Sequence, residues 1–231
     1  MSPIHIKAKR GNIADSVIMA GDPARVKRLA DLLTHPRVVN KNRGFLVITG
    51  SRGGINVTLA AHGVGAPSAS IVMEELIQLG ARNFVRLGTV GGILTEPGEY
   101  LLARGASYLP GGLYEQYLGR VAYPASPDAA LFLALARSME KQGLRYREGI
   151  VFSSDAFYAE NRLSIDLGGL GIAGVEMECG ALLTIAGIRG VRAACLLITS
   201  NKLGGRFLPS SAINESAIRA GEAIMDAFRE L

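Results

Sequence analysis

Eight short apolar runs rich in β-branched residues punctuate the chain: 17–21 (VIMAG), 45–50 (FLVITG), 55–63 (INVTLAAHG), 83–92 (NFVRLGTVGG), 100–109 (YLLARGASYL), 149–156 (GIVFSSDA), 171–177 (GIAGVEM) and 192–200 (RAACLLITS). Their near-continuous hydrophobicity, bounded by glycine, predicts strands buried on both faces. Between several of them the pattern becomes helical. In DPARVKRLADLL, Asp22 is placed to cap a helix and Pro23 to start it. PSASIVMEELIQLG closes at Gly80, a C-terminal cap. SPDAALFLALARSMEKQG begins at Ser126 or Asp128 and stops at Gly143. From Pro209 onward, Ile213, Ala217, Ala220, Ile224 and Phe228 form one stripe of helical period, a core-facing side. Strands alternating with helices predict an α/β fold with helices covering a central sheet. No repeat, linker or compositional break divides the chain, so residues 1–231 read as one domain.

Composition agrees with a large buried sheet. Of 231 residues, 48% are hydrophobic and 19% charged, which excludes a disordered chain. A formal charge of +5 suggests an anionic partner. The basic residues are dispersed, with KAKR (7–10) and RVKR (25–28) the densest groups and no interleaved aromatics. That speaks for a small anion and against nucleic acid. Residues 53–73 carry no formal charge, but Gly53, Gly54, Gly63, Gly65 and Pro67 break any continuous helix, so a membrane span is rejected. Cys179 and Cys195 lie in apolar surroundings and read as small hydrophobes; whether they bond is left open. The N-terminus lacks the basic-then-apolar pattern of a secretory leader, and a cytoplasmic protein is expected.

Several standard chemistries can be set aside. HGVGAPSA (62–69) has Ser68 where a dinucleotide fingerprint needs Gly or Ala, and no acid ends the next strand. There is no P-loop, no nucleophile elbow, and no CxxC or HExxH; His5, His35 and His62 are scattered, so no metal site is expected. What remains is a set of arginines at strand and turn ends. Arg25 falls in the first turn of a helix, Arg43 just before a strand, and Arg86 inside the apolar FVRLGT. Guanidinium forks and helix N-terminal amides are the usual means of holding phosphate. Buried or surface pairing is the alternative reading of Arg86. The apolar GVEMECGA (174–181) also sends Glu176 and Glu178 inward, which is costly without partners.

Taken in order, GDPAR (21–25), NRGFLVITG (42–50), HGVGAPSASIVMEEL (62–76), VRLGTVGG (85–92), SSDAFYAE (153–160), VEMEC (175–179) and LLITSN (196–201) resemble the nucleoside phosphorylases of the hexameric purine/uridine type. The resemblance covers nearly the whole chain and looks closest to thermophile purine nucleoside and methylthioadenosine phosphorylases. It implies a single domain with a mixed, partly barrel-like central sheet flanked by helices. It implies a phosphate site of Gly21, Arg25, Arg86 and Thr89, with Arg43 from a neighbouring subunit. The ribose would rest on Met177 and Glu178, with His5 reaching in from that neighbour. Phe157 would lie against the base, near Glu176, Ser200 and Asn201. The working unit would be a homo-oligomer, a hexamer of dimers sharing sites, with inorganic phosphate as co-substrate and no cofactor.

Within that family Arg86, Glu178 and Asn201 would carry the chemistry. Glu178 is expected to accept hydrogen bonds from the 2′- and 3′-hydroxyls. Glu176 either orders the base pocket or pairs with an arginine. Many purine-cleaving relatives have Asp where this chain has Asn201. An amide delivers no proton, which favours 6-oxopurines such as inosine and guanosine. Uridine is the alternative: Arg162 sits where uridine-cleaving relatives read uracil, although Glu160 stands near their Gln. Methylthioadenosine, a phosphate-independent nucleosidase and a nucleoside-binding protein without turnover are further alternatives.

Overall fold

The computed structural model describes residues 2–162 and 166–231, without the side chains of 160–162. Among these residues the chain forms nine strands: β1 (Ser16–Ala20), β2 (Thr34–Asn40), β3 (Val47–Arg52), β4 (Ile55–Ala61), β5 (Asn83–Gly92), β6 (Tyr100–Tyr108), β7 (Tyr146–Ser153), β8 (Ile172–Glu176) and β9 (Arg192–Lys202). Six α-helices intervene: α1 (Pro23–Ala30), α2 (Ala66–Gln78), α3 (Gly112–Leu118), α4 (Ala129–Lys141), α5 (Cys179–Arg189) and α6 (Ser210–Phe228). The sheet order is β2-β3-β4-β1-β5-β8-β7-β6-β9, and β9 returns to pair with β5. Five strands thus close on themselves as a barrel, while β1 to β4 extend from β5 as an open wing. Pairing is mixed: β4, β1, β5 and β9 run parallel, and β8 meets β5 antiparallel.

Alternation along the strands sorts side chains into two cores. Val85 and Leu87 of β5 join Leu196 and Ile198 of β9 on the side of α1, α4 and α6. Phe84, Cys195 and Leu197 face the other way, against Met73 and Leu76 of α2 and Leu182 and Leu183 of α5. By the same alternation Arg86 projects to the α2/α5 side. The stripe on α6 is buried as expected at Ala217, Ala220, Ile224 and Phe228, and Ile213 packs at its margin.

The helix ends follow the local chemistry. Asp22 caps α1 by accepting from the Ala24 N–H at 2.7 Å, and Pro23 opens it. Asp128, rather than Ser126, caps α4 through the Leu131 N–H. Gly80 and Gly143 follow α2 and α4 with positive φ. Three elements escape the sequence reading. β2 (THPRVVN) is a largely exposed edge strand and carries no apolar run. α3 is short, and α5 is apolar all round, so neither shows a helical stripe. The uncharged stretch 53–73 becomes β4, a glycine turn and the first half of α2. Among the described residues no helix is long and apolar enough to cross a membrane.

Candidate active site

The C-terminal ends of β1, β5, β8 and β9 converge on one cleft of about 980 Å³. In open parallel sheets this carboxyl edge is where ligands gather. One end is built by β1 and β5. The turn after β1 supplies Gly21, and α1 brings Arg25 back toward the sheet, where its Nη1–H donates to the Leu87 carbonyl at 3.1 Å. Arg86 rises from β5 over Gly88, at which a Cβ would overlap the guanidinium. Both arginines are buried, at 8% and 5% exposure. Among the described residues Arg25 Nε and Arg86 Nε and Nη1 have no hydrogen-bond partner. Buried cationic donors left unmatched are costly, and here they share one cavity with Thr89.

The acids that face them come from the end of β8. The strand stops at Glu176, and Glu178 has already turned into the N-terminal cap position of α5 (φ −141°, ψ −19°). Arg86 Nη2 is bonded to Glu178 Oε2 and lies 3.3 Å from Glu176 Oε2. Glu178 Oε1 also accepts the Gly65 N–H at 2.6 Å, from a glycine whose φ of +90° aims it there. Glu176 is engaged at both oxygens, by Ser153 Oγ and by the backbone N–H groups of Glu178 and Cys179. Of its two possible roles the geometry shows the arginine pairing. Burial works to raise the Glu178 carboxyl, but Arg86 and the Gly65 N–H outweigh it and hold it below the usual carboxylate range. Burial likewise works to strip Arg86 of its proton, and the facing acids, Glu178 foremost, raise it instead. Arg86 and Glu178 thus form a buried ion pair, with Glu176 beside it.

The opposite end is apolar. Val90, Val175, Leu203, Phe207, Phe157 and Tyr158 line it, the last three exposed to solvent, while Val64 lies between Gly63 and Gly65 near Glu178. Ser200 and Asn201, from β9, are its polar floor. Ser200 Oγ donates to Asn201 Oδ1 at 2.7 Å, and Asn201 Nδ2 donates to the Lys202 carbonyl at 2.7 Å. Its second N–H reaches the Gly205 carbonyl only at 3.5 Å, a bond at the limit of usefulness that leaves it available.

Gly21, Arg25, Arg86, Thr89, Phe157, Glu176, Met177, Glu178, Ser200 and Asn201 are thus brought together. His5 and Arg43 are not; neither lines the cleft of its own chain. They sit near each other elsewhere: His5 Nδ1 pairs with Glu75 at 2.7 Å, and Asn42, next to Arg43, donates to the His5 carbonyl at 3.0 Å. Arg43 has a left-handed backbone (φ 55°), strain of about 1–3 kcal/mol that collects at functional positions. The side chain of Arg162 lies outside the described residues. Sequence reasoning missed Gly88, Gly65, Ser153 and Phe207. Gly88 and Gly65 are visible only as glycines beside motif residues, and Ser153 and Phe207 carry no signal of their own.

Buried guanidiniums, buried carboxylates and apolar walls thus share one cleft, a lining that suits a small oxyanion beside a partly polar, partly aromatic substrate. The comparisons agree: residues 15–230 match the model of the phosphorylase superfamily, and the chain belongs to that family as a nucleoside phosphorylase, a pentosyltransferase. It is 34% identical over 237 residues to a uridine phosphorylase of Thermococcus kodakarensis, an alignment covering 95% of this chain and 84% of that one. It is 30% identical over 229 residues to a guanosine phosphorylase of Halorubrum lacusprofundi, covering 97% and 94%. The crystal structure of a uridine phosphorylase from Vibrio fischeri superposes with a TM-score of 0.88 at 28% identity, covering 100% of this chain and 98% of that one.

Proposed function

We propose that this phosphorylase splits purine nucleosides, 6-oxopurines such as inosine and guanosine above all, into free base and ribose 1-phosphate. Phosphate sits against Gly21, Arg25, Arg86 and Thr89. Its support is the set of buried guanidinium N–H groups without partners in one cavity, which is the observation that carries the reading. Each oxygen of Glu178 has a further lone pair for a ribose hydroxyl, and Met177 lies beside it. As the base departs, positive charge grows on the sugar; the phosphate beneath stabilises that charge and then bonds to C1′. The protein positions the reactants and balances charge, with no covalent enzyme intermediate and no cofactor.

The base preference rests on Asn201. Glu176 is occupied by Arg86, Ser153 and backbone amides, so among the described residues no acid beside Asn201 is placed to protonate a leaving base. An amide N–H can steady a 6-oxopurine at N7 or O6, where the charge delocalises, but adenine would leave without its proton. Uridine is the second reading, favoured by the names of the Thermococcus and Vibrio relatives, since uracil also departs as a delocalised anion. His5 and Arg43, held together off the cleft, fit donation to a neighbouring copy, and we infer a hexamer of dimers sharing sites. Base release from inosine, guanosine, adenosine, methylthioadenosine and uridine, with and without phosphate, tests the proposal. Phosphate-dependent release fastest from inosine or guanosine is expected. A preference for uridine overturns the base assignment, and release without phosphate overturns phosphorolysis.

A further inference from the structure

The His62 imidazole is wholly buried, and among the described residues neither ring nitrogen has a hydrogen-bond partner. No step above uses it. Strand register explains its position. β4 pairs with β1 so that Ala60 faces Met19, and β1 pairs with β5 so that Met19 faces Arg86. Two residues further along each strand, the same row reads His62, Gly21, Gly88. The His62 N–H donates to the Ala20 carbonyl at 2.9 Å, which continues the ladder to this point. Two glycines leave the row open above the sheet, and larger neighbours lean into the gap. Arg86 covers Gly88, and the His62 ring covers Gly21, its Cε1 3.7 Å from where a Cβ would stand. Ser68 of α2 fixes the histidine backbone by donating to its carbonyl at 2.5 Å.

The charged groups facing the ring come from three directions: Arg86 from β5, Glu178 from the turn into α5, and Arg25 from α1. Gly21 of the turn after β1 and Ser68 of α2 add no charge. These neighbours include the residues assigned above to phosphate, and the inference rests on that assignment. We propose that His62 is a further positioning residue of the phosphate site, neutral beside the two guanidiniums and protonated from solvent when a phosphate dianion seats between them.

Burial and then the Arg86 charge press the ring toward neutrality, to a pKa of about 4. A dianion in contact reverses the local field. The imidazole then takes one proton from water, and both of its nitrogens become donors to the anion or to Glu178. One N–H bond forms as one O–H bond of water breaks, and the hydroxide left behind is what raises the pH of the solution. Because linkage is reciprocal, the proton must strengthen anion binding by the factor with which the anion strengthens protonation.

Phosphate itself titrates near neutrality, so sulfate, a dianion throughout, is the probe. In unbuffered solution at pH 6.5, saturating sulfate should cause wild-type protein to take up on the order of one proton per chain, read by pH-stat. His62→Gln should take up almost none. The sulfate dissociation constant, read by competition against phosphate, should rise by tens of fold, up to about a hundredfold, from pH 5.5 to 7.5 in wild type and stay flat in the variant. No uptake by wild type, or equal uptake by His62→Gln, overturns the proposal; the wild-type reading decides alone should the variant not fold. Arg25→Gln separates this from the underlying assignment. Undiminished sulfate competition in Arg25→Gln sinks the phosphate site itself, whereas lost competition there with no wild-type uptake sinks only the role of His62.

Discussion

At the scale of single residues, the centre is a charge balance in a dry place. Arg86 pairs with two buried acids, so each member is costly to remove. Glu178→Ala should lower kcat/KM by more than tenfold, over ~1.4 kcal/mol of transition-state stabilisation, in steady-state phosphorolysis. Activity within tenfold of wild type would contradict its part in holding the ribose. Gly88→Ala tests the other side of the pair. Its methyl would displace the guanidinium from its buried acids, so KM for phosphate should rise about tenfold or more and the melting temperature should fall. His62 gives a pH dependence with a definite sign. Its folded pKa, about 4, lies below the ordinary value of 6.5, so between these the unfolded chain binds more protons and acid favours unfolding. Stability should fall by about 2 kcal/mol from neutral pH to pH 5, above the carboxylate range. Thermal melts of wild type and His62→Gln should show the slope in the first and its loss in the second.

At the scale of elements, the site depends on how ends are tied. The N-terminal segment is fastened by Glu75 of α2, which accepts the N–H groups of Ile4, His5 and Ile6 and the His5 ring, with Asn40 and Asn42 holding its edge. That clasp holds His5 beside the turn of Arg43. Glu75→Ala should release residues 2–8 to fast hydrogen exchange while the barrel stays protected. If His5 serves a neighbouring site, KM for nucleoside should also rise; unchanged exchange would show that the segment is held by other means. The α1 cap was legible from Asp22 and Pro23, because capping is a local event. Which partners Glu176 and Glu178 would meet was not. Strand spacing puts residues two apart on one face, but the strand ends between them and the helix turns the second acid toward Arg86 and Gly65.

For the whole molecule, closure of the barrel decides where everything stands. β8 joins β5 through only two paired positions, Gly91 with Val175 and Gly92 with Gly174. A Cβ at Gly174 would lie 2.6 Å from Val90 Cγ2 and 2.7 Å from the Gly91 carbonyl, and backbone cannot step aside. Gly174→Ala should therefore cost about 1–3 kcal/mol by overpacking. It should also lower activity, since β8 delivers both acids; calorimetry and kinetics on one sample check this. A variant as stable and active as wild type would mean that the seam is not held this tightly.

The sequence alone settled the fold class, most strands, the capped helices and most of the residues that meet in the cleft. Those properties are local, written in apolar runs, cap residues and short motifs. The exposed β2 and the evenly apolar α5 left no such mark. Which arginine meets which acid was decided only by tertiary structure, and so was the meeting of His62, Gly21 and Gly88 in one row. Register and barrel closure bring together residues far apart in the chain, and no local pattern specifies that pairing. Only the folded sheet showed Glu176 committed to Arg86 and the Asn201 amide turned toward its own loop.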